Sequence, residues 1–432
     1  MIRSAKTIAL LGALAALLLL IAAPVQAAGF GFESGSVKTT YETFKEVLGI
    51  PQASSHPYAF TVDFKLKLKE GTTETEGGEL RDLYAELPPG FAGDPFALPR
   101  CTRQEFEGPA PLCSSNTQLG VVHVSIPSLG VVVGPIYNMV PPPGVAAEIG
   151  FSAAGLNGLQ DFTLIAEDGE DEGRGQRYGL RDHVSFPLEI TSLESVFWGT
   201  PADPGHDAQR FSNAGRAPEH PTGFIGPEEA FLTLPAECSR PLALTLAVAS
   251  KLAPTVYSTE TAYSLDGGGN PAAPLGCASV PFSPQVASQP TSRSATSPSG
   301  LEFQLKLPDE GLTNPDGIAE TEPEKVEVVL PEGMTANPSF AEGISTCSEA
   351  QYAAEQLETP VGGGCPEASK LGSVEARSPL LEEPIVGSLY LATPYQNRFG
   401  SLVAVYMVLR ARERGVMIKQ AGEVQPDRST GR

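Results

Sequence analysis

The chain has 432 residues, 41% of them hydrophobic, which is enough for two or three domains with packed cores and excludes a globally disordered protein. Its net charge is −22, and its one short run of basic residues lies at Arg410–Arg414, so nucleic acids and anionic membrane surfaces are poor candidates as partners. The 45 glycines and 40 prolines separate short apolar runs, a pattern typical of a turn-rich all-β protein.

The first 27 residues have the pattern of a secretory signal peptide. Arg3 and Lys6 precede the apolar stretch Ile8–Ala23, and a small-x-small cleavage site ends at Ala27. We therefore expect a mature chain that begins at Ala28 and is secreted or held at the cell surface. The alternative is a retained anchor helix, but the apolar stretch is short for a bilayer span, and no later segment approaches such a span.

The six cysteines occur along the sequence as three pairs of neighbours: Cys101 and Cys113, Cys238 and Cys277, Cys347 and Cys365. In an oxidising compartment the simplest arrangement is a disulfide within each couple. Metal binding is the alternative, but no Cys-x-x-Cys occurs and no histidine lies beside any cysteine. We predict three local disulfides and no cofactor.

Two stretches of the sequence resemble each other and indicate an internal repeat. Leu87–Val122 and Leu330–Val374 each run from a Leu-Pro-x-Gly turn, through a couple of cysteines, to a strand-like segment that contains a glycine. Upstream of them, Phe60–Leu68 and Leu301–Leu307 both alternate apolar and polar residues, as strands with one buried face do. We therefore expect two copies of one structural unit.

A capping box follows the first cysteine of each copy and predicts a short helix there. Thr102 and Glu105 form it in the first copy, and Ser348 and Gln351 in the second. In each copy an aromatic residue lies in the first turn of the helix, where it can pack against the cysteine that precedes the cap. We expect the disulfide of this cysteine to tie the helix to the chain segment that follows it. The predicted helices, with their aromatic residues, are Arg103–Glu107 with Phe106 and Glu349–Leu357 with Tyr352.

Repeated short strands with frequent turns predict a mainly all-β fold made of tandem β-sandwich domains. In the first copy, the strands predicted after the strapped helix and the segment that leaves it are Val131–Tyr137, Ala146–Phe151, Phe162–Ala166, Gly179–His183 and Ser185–Thr191. In the second copy, the corresponding prediction is Pro384–Leu391, Ser401–Leu409 and Gly415–Val424. The second copy also has a predicted strand before its helix, Lys325–Leu330. The predicted domains are a signal peptide (1–27), the first copy (28–200), a small β domain (201–282) and the second copy (283–432). Because the second copy lacks counterparts of the last strands, we expect either a partial chain or an edge that another protein completes.

A set of short motifs resembles a group of large secreted bacterial proteins of unknown function. The resemblance covers most of the mature chain and implies an exported, β-rich, repeated architecture, with no activity and no site residues. The second copy departs from it at Glu332 and Leu391 and has no triple proline. The motifs are Leu87-Pro-Pro-Gly, Asp94-Pro95, Cys101, Cys113, Gly120-Val-Val, Pro135-Ile-Tyr-Asn138, Pro141-Pro-Pro-Gly144, Trp198-Gly-x-Pro-Ala-Asp203 and His206-Asp207.

The segment after Trp198 has the residues most typical of a functional site. Asp203, His206 and Asp207 could bind a metal ion or place a carboxylate behind an imidazole. The alternative is an interdomain loop in which Trp198 is wedged into the core and Asp207 caps a turn. The acidic run Glu167–Glu172 could bind calcium, but it lacks the spacing of a calcium loop and is more typical of a solvated hairpin tip.

No sequence motif of a known catalytic class is present, so we expect a structural, adhesion or surface-associated protein without catalysis. A cell-envelope component or a glycan is the partner that this reading suggests. The alternative is a secreted hydrolase or carbohydrate-binding protein whose site lies near Trp198 and Asp207. A pair of catalytic carboxylates from distant strands would leave no local motif.

Overall fold

The computed structural model describes residues 29–108, 111–166, 178–211, 223–295, 297–330, 345–360 and 362–425. The predicted signal peptide and the acidic run Glu167–Glu172 lie outside these residues. The strands are β1 (Lys38–Phe44), β2 (Val47–Leu48), β3 (Ala59–Lys65), β4 (Leu80–Glu86), β5 (Ala92–Gly93), β6 (Gln118–Ile126), β7 (Gly130–Met139), β8 (Ala147–Ala153), β9 (Leu156–Ala166), β10 (Tyr178–Ser185), β11 (Ser192–Trp198), β12 (Leu232–Thr233), β13 (Ala243–Ser250), β14 (Tyr257–Tyr263), β15 (Gln285–Pro290), β16 (Leu301–Lys306), β17 (Lys370–Ala376), β18 (Ile385–Leu391), β19 (Val403–Ala411) and β20 (Val416–Val424). The α-helices are α1 (Arg103–Phe106), α2 (Glu310–Thr313) and α3 (Glu349–Ala353), and 3-10 turns span Ser115–Thr117, Pro204–Gln209, Cys277–Ser279 and Glu367–Ser369.

The largest sheet contains twelve antiparallel strands in the order β14-β13-β4-β10-β9-β8-β7-β6-β11-β3-β1-β2. It curls so strongly that β1, near one end, contacts β14 at the other. The concave side encloses one hydrophobic core, to which Phe60, Phe64, Leu83 and Leu246 contribute from different strands. The prediction of a mainly all-β fold is confirmed.

Strand β3 shows how the sequence pattern determines which face is buried. Phe60, Val62 and Phe64 are buried in the core, whereas Thr61 and Asp63 between them lie on the other face and are only half-buried. Burying one such apolar side chain contributes about 2–3 kcal/mol. A slip of one residue would bring the polar residues inward, so the alternation determines the register.

The last strand predicted for residues 28–200 differs from the structure. The predicted strand Ser185–Thr191 is wrong, because β10 ends at Ser185 and the chain bends at Pro187, which has no N–H to donate. The strand that follows is β11, which is hydrogen-bonded to β6 on one side and β3 on the other. It is the element that joins the two halves of the large sheet.

All three predicted disulfides are confirmed: Cys101–Cys113, Cys238–Cys277 and Cys347–Cys365. They indicate an oxidising, extracytoplasmic environment. Within the residues that the structure describes, no helix is long and apolar enough to cross a membrane.

The two strapped helices have the predicted capping boxes. In each, the first cysteine also bridges to the end of a strand: Cys101 N–H donates to Asn138 O over 2.7 Å, and Cys347 N–H donates to Leu391 O over 2.8 Å. The disulfide sulfurs pack against the predicted aromatic side chains. The prediction of a short disulfide-strapped helix in each segment is confirmed.

The second helix is shorter than predicted. It ends at Ala353 instead of Leu357, because the Glu355 carboxylate turns into the disulfide loop. There it accepts a hydrogen bond from Cys365 N–H at 2.8 Å and pairs with Arg410. A buried carboxylate with these two partners holds the chain outside helical geometry.

Two strands of the segment 201–282 extend the large sheet. Strand β13 pairs with β4, and β14 pairs with β13, while the Cys238–Cys277 disulfide closes the segment. The sheet is therefore continuous across residue 200, where the sequence placed a domain boundary. The domain limits themselves stay a prediction.

Residues 283–432 contain a four-stranded sheet, β17-β18-β19-β20, and a separate hairpin of β15 and β16. The predicted strand Lys325–Leu330 is wrong: these residues form no strand, whereas β4, its counterpart, is held between β10 and β13. The four-stranded sheet lies against the first. Gly144 N–H donates to Glu413 O at 2.9 Å, and Lys419 N–H donates to the Tyr178 hydroxyl at 2.8 Å.

Candidate functional site

The junction that follows β11 is built on a tight contact with the loop before β3. A Cβ on Gly199 would lie 1.5 Å from the Pro57 carbonyl oxygen, so only glycine fits there. Gly199 N–H donates to Tyr58 O, and Gly199 O accepts hydrogen bonds from the segment that leads into β12. The chain then enters the 3-10 turn Pro204–Gln209, which carries the candidate residues.

His206 is enclosed in an aromatic stack. Its ring lies 4.3 Å from the Tyr58 ring and 4.7 Å from the Trp198 ring, nearly parallel to both, and the side chain is only 2% exposed. Burial lowers the pKa of His206 to about 3, with smaller contributions from the charges of Arg210 and Lys45. The imidazole is therefore neutral at physiological pH and contributes packing.

The two aspartates have structural partners as well. Asp203 is the N-cap of the 3-10 turn, where its Oδ1 accepts a hydrogen bond from Gly205 N–H at 2.7 Å. Asp207 Oδ1 accepts one from Arg210 Nε at 3.1 Å. The expected turn-capping role thus belongs to Asp203 and not to Asp207, because Asp203 directly precedes the turn.

Arg210 is the residue of the junction that sequence reasoning missed. Its guanidinium is 1% exposed, lies 5.2 Å above the Trp198 ring and donates to Pro201 O at 2.7 Å. The sequence did contain one indication of this role, because Asp207 and Arg210 are three residues apart, a spacing at which their side chains can pair on a turn. A buried arginine with these partners fixes the loop against the core.

The structure brings Asp203, His206 and Asp207 onto one turn but directs them to different partners. Among the described residues, no group of three His, Cys, Asp or Glu side chains is arranged to hold a metal ion. The buried Trp198 agrees with the interpretation of the segment as a packed loop.

A second polar cluster, which the sequence did not indicate, lies beside α1. Ser185 Oγ donates to Asp82 Oδ1 at 2.6 Å, His183 Nε2 lies 3.2 Å from the same oxygen, and the Tyr84 ring stacks on His183. The carboxylate thus stands between the hydroxyl and the imidazole. In a catalytic triad the imidazole stands between the other two groups, so this arrangement does not activate Ser185.

Glu148 and Asp161 extend this cluster across the sheet. They face each other on β8 and β9, and Glu148 pairs with Arg103 of α1. Burial raises the pKa of Glu148, and the adjacent Asp161 adds to the increase, whereas Arg103 opposes it. The pair therefore resists carrying two charges.

A groove of about 430 Å³ lies over this region. It combines an apolar floor with polar side chains that include Asn157, Asp161, His183 and Ser185. The Oδ1 atoms of Asn157 and Asp161 are buried and accept no hydrogen bond from the described residues, although the Arg103 guanidinium lies 3.9 Å from Asp161 Oδ1. The remaining surface of the Asp161 carboxylate, whose side chain is 42% exposed, suits a ligand that offers hydroxyl or amino donors.

The chain matches no protein-family model, no curated protein and no solved structure.

Proposed function

We propose that the protein is an exported, non-catalytic module with a structural or adhesive role at the cell surface. Two copies of one disulfide-clamped β unit would form its body, the first within residues 28–200 and the second within 283–432. One observation carries the proposal: the junction residues with the most reactive side chains are used to hold the fold. His206 is stacked between two aromatic rings, and Asp207 is paired with the buried Arg210.

Export and duplication have independent support. The disulfides require an oxidising compartment, and the first 27 residues have the signal-peptide pattern. The two strapped helices share their capping boxes and the bridge from the first cysteine to a strand end.

Export is tested by expressing the full chain in a secreting bacterial host and sequencing the N-terminus of the protein in the medium. We expect Ala28 as the first residue. A protein that stays in the cell with residues 1–27 attached would contradict the proposed export.

The non-catalytic role is tested on the mature chain with two variants, His206→Phe and Asp207→Asn. Phenylalanine preserves the stack, and asparagine keeps an acceptor for Arg210, so both variants should fold. We expect co-sedimentation with purified cell envelopes for all three proteins and no turnover of peptide, ester or glycoside substrates. A wild-type hydrolase activity that both folded variants lose would overturn the proposal.

Saccharide binding in the groove beside α1 is a second candidate function. The partly exposed Asp161 carboxylate favours it, because sugar hydroxyls are donors that a carboxylate in the groove can accept from. The half-buried Leu159 in the groove lining offers apolar surface to the less polar face of a sugar ring.

A glycan array probed with the mature protein tests this candidate. We expect binding that weakens at least about tenfold in Asp161→Ala, the cost of about one charged hydrogen bond. The control is Thr259→Ala, an exposed residue on β14 outside the groove. Equal binding by wild type and Asp161→Ala would exclude the groove.

A further inference from the structure

The outer face of the large sheet continues beyond the groove beside α1 in one line of residues. His183 belongs to the groove lining and faces Asp161 of β9 on one side and Tyr84 of β4 on the other. Tyr84 in turn faces Ala247 of β13. The next residue in sequence, Leu83, belongs to the core, so this line lies on the face turned away from the core.

Three side chains on this face form an aromatic platform (His183, Tyr84 and Tyr257). The Tyr84 ring stacks on the His183 ring with 4.4 Å between the centroids. The Tyr257 ring of β14 meets the Tyr84 ring in an edge-to-face arrangement at 5.6 Å. Between the two tyrosines, β13 contributes the small side chains of Ala247 and Ala249, so nothing bulky separates the rings.

The platform is accessible to solvent at both ends. Tyr257 is 42% exposed, and the His183 side chain is 40% exposed. Aromatic rings bury a large area on contact and are typical of recognition surfaces when they cluster at the surface. The platform is therefore a candidate extension of the groove.

The groove and the platform together are longer than a single sugar ring. Asp161 on β9 and Tyr257 on β14 are separated by four strand spacings, through β10, β4 and β13. At about 4.8 Å for each spacing, the distance along the sheet is about 19 Å. A ligand that contacts both ends must be a chain of several units that crosses the strands.

The chemistry of this face favours an uncharged saccharide chain. Strands β9, β10, β4 and β13 are each paired along both edges, so their backbone groups are not free to recognise a peptide by strand addition. The partly exposed Asp161 carboxylate and the Ser185 hydroxyl can accept hydrogen bonds from sugar hydroxyls, and the rings suit the less polar faces of sugars. The carboxylate and the net charge of −22 oppose an anionic polymer.

We propose that the groove and the aromatic platform form one extended site for a linear, uncharged oligosaccharide that crosses the strands from β9 to β14. The inference rests on the candidate saccharide site in the groove, which it extends. Asp161 accepts hydrogen bonds from the sugar at one end of the chain, and Tyr257 stacks on a sugar ring at the other.

Isothermal titration calorimetry of the mature protein tests this site. The probes are glucose, mannose and N-acetylglucosamine, each as the monomer and as linear oligomers up to the hexamer. We expect the affinity to rise with chain length until the chain spans the groove and the platform. Tyr257→Ala should lower the affinity for the hexamer by about threefold to tenfold and leave that for the shortest bound sugar unchanged. Asp161→Ala should weaken the binding of both.

Two further variants separate the role of the ring from effects on the fold. Tyr257→Phe keeps the ring and should bind nearly as wild type does. Tyr263→Ala is the matched control, because Tyr263 is 48% exposed on the same strand and lies six residues, or about 20 Å, from Tyr257. Thermal unfolding of each variant shows whether the fold is retained.

Three results would overturn the extended site. Equal affinity for monomer and hexamer would confine binding to the groove, and unchanged hexamer affinity in folded Tyr257→Ala would remove the platform from the site. Tighter binding of a galacturonic acid hexamer than of any neutral one would contradict an uncharged ligand. If no saccharide binds at all, the groove candidate and its extension both fail. A hydrolase activity lost with His206 would refute only the proposed non-catalytic role.

Discussion

Asp182 provides a test of how burial controls stability in the large sheet. Its carboxyl is buried on β10, and its Oδ1 accepts a hydrogen bond from Ala85 N–H at 2.7 Å. Burial raises the pKa of Asp182 to about 7 from its usual 3.8, although the hydrogen bond from Ala85 opposes this change. The folded protein therefore binds the proton more tightly than the unfolded chain does.

The sign of the effect on stability follows from this difference. Below pH 3.8 the carboxyl is protonated in both states, and stability is lost as the pH rises through about 7. A difference of about three pH units, at about 1.36 kcal/mol per unit, makes the total loss about 4 kcal/mol. In Asp182→Asn this loss is absent, while any cost of the unpaired amide donors does not change with pH.

Urea unfolding of the disulfide-intact protein, followed by near-ultraviolet circular dichroism, measures the effect between pH 3.5 and 8. We expect the unfolding free energy of Asp182→Asn, relative to wild type, to increase by about 4 kcal/mol over this range. The same substitution at the exposed Asp309 controls for the change in net charge. A difference between Asp182→Asn and wild type that stays constant with pH would refute the reasoning.

Three further predictions concern other parts of the fold. Because burial lowers the pKa of His206 to about 3, wild type should lose up to about 5 kcal/mol relative to His206→Phe as the pH falls from 6.5 to 3, measured by the same unfolding assay. Gly120→Ala should destabilise the protein by at least about 1–3 kcal/mol through collision with β11, whereas Gly372→Ala should not, and thermal unfolding compares the two. Replacing both Cys238 and Cys277 by serine should cost about 3–4 kcal/mol, seen as a lower urea midpoint; an unchanged midpoint would mean that β13 and β14 are held by the sheet alone.

The features that could be predicted from the sequence are those that local chemistry determines. A capping box and an adjacent cysteine occupy a few consecutive residues, so Thr102, Glu105 and Cys101 were sufficient to predict a strapped helix. Strand β11 was missed, because Ser192, Glu194 and Ser195 interrupt its apolar pattern. Its strand conformation is imposed by β3 and β6 on either side, which is long-range information.

The candidate site also combines features that local sequence determines with features that depend on distant residues. The sequence indicated a buried Trp198 before a packed loop, since turn residues follow it; the structure buries Trp198 at the end of β11. It could not show that Tyr58 completes the stack on His206, because that ring arrives from a distant loop. The groove beside α1 was likewise hidden, since Phe106, Asp161 and His183 come from a helix and two separate strands.

Apolar burial is unequal in the two parts of the chain that the sequence predicts to be copies of one unit. The core inside the large curled sheet draws on nearly all of its strands. Residues 283–432 contribute two small clusters. One surrounds Tyr352, Tyr406 and the Cys347–Cys365 disulfide, and the other is formed by Ile385 and Leu409, which pack against Ala146 and Leu164 of the large sheet. A unit with so little apolar burial of its own depends on its covalent clamp and on its contacts with the large sheet.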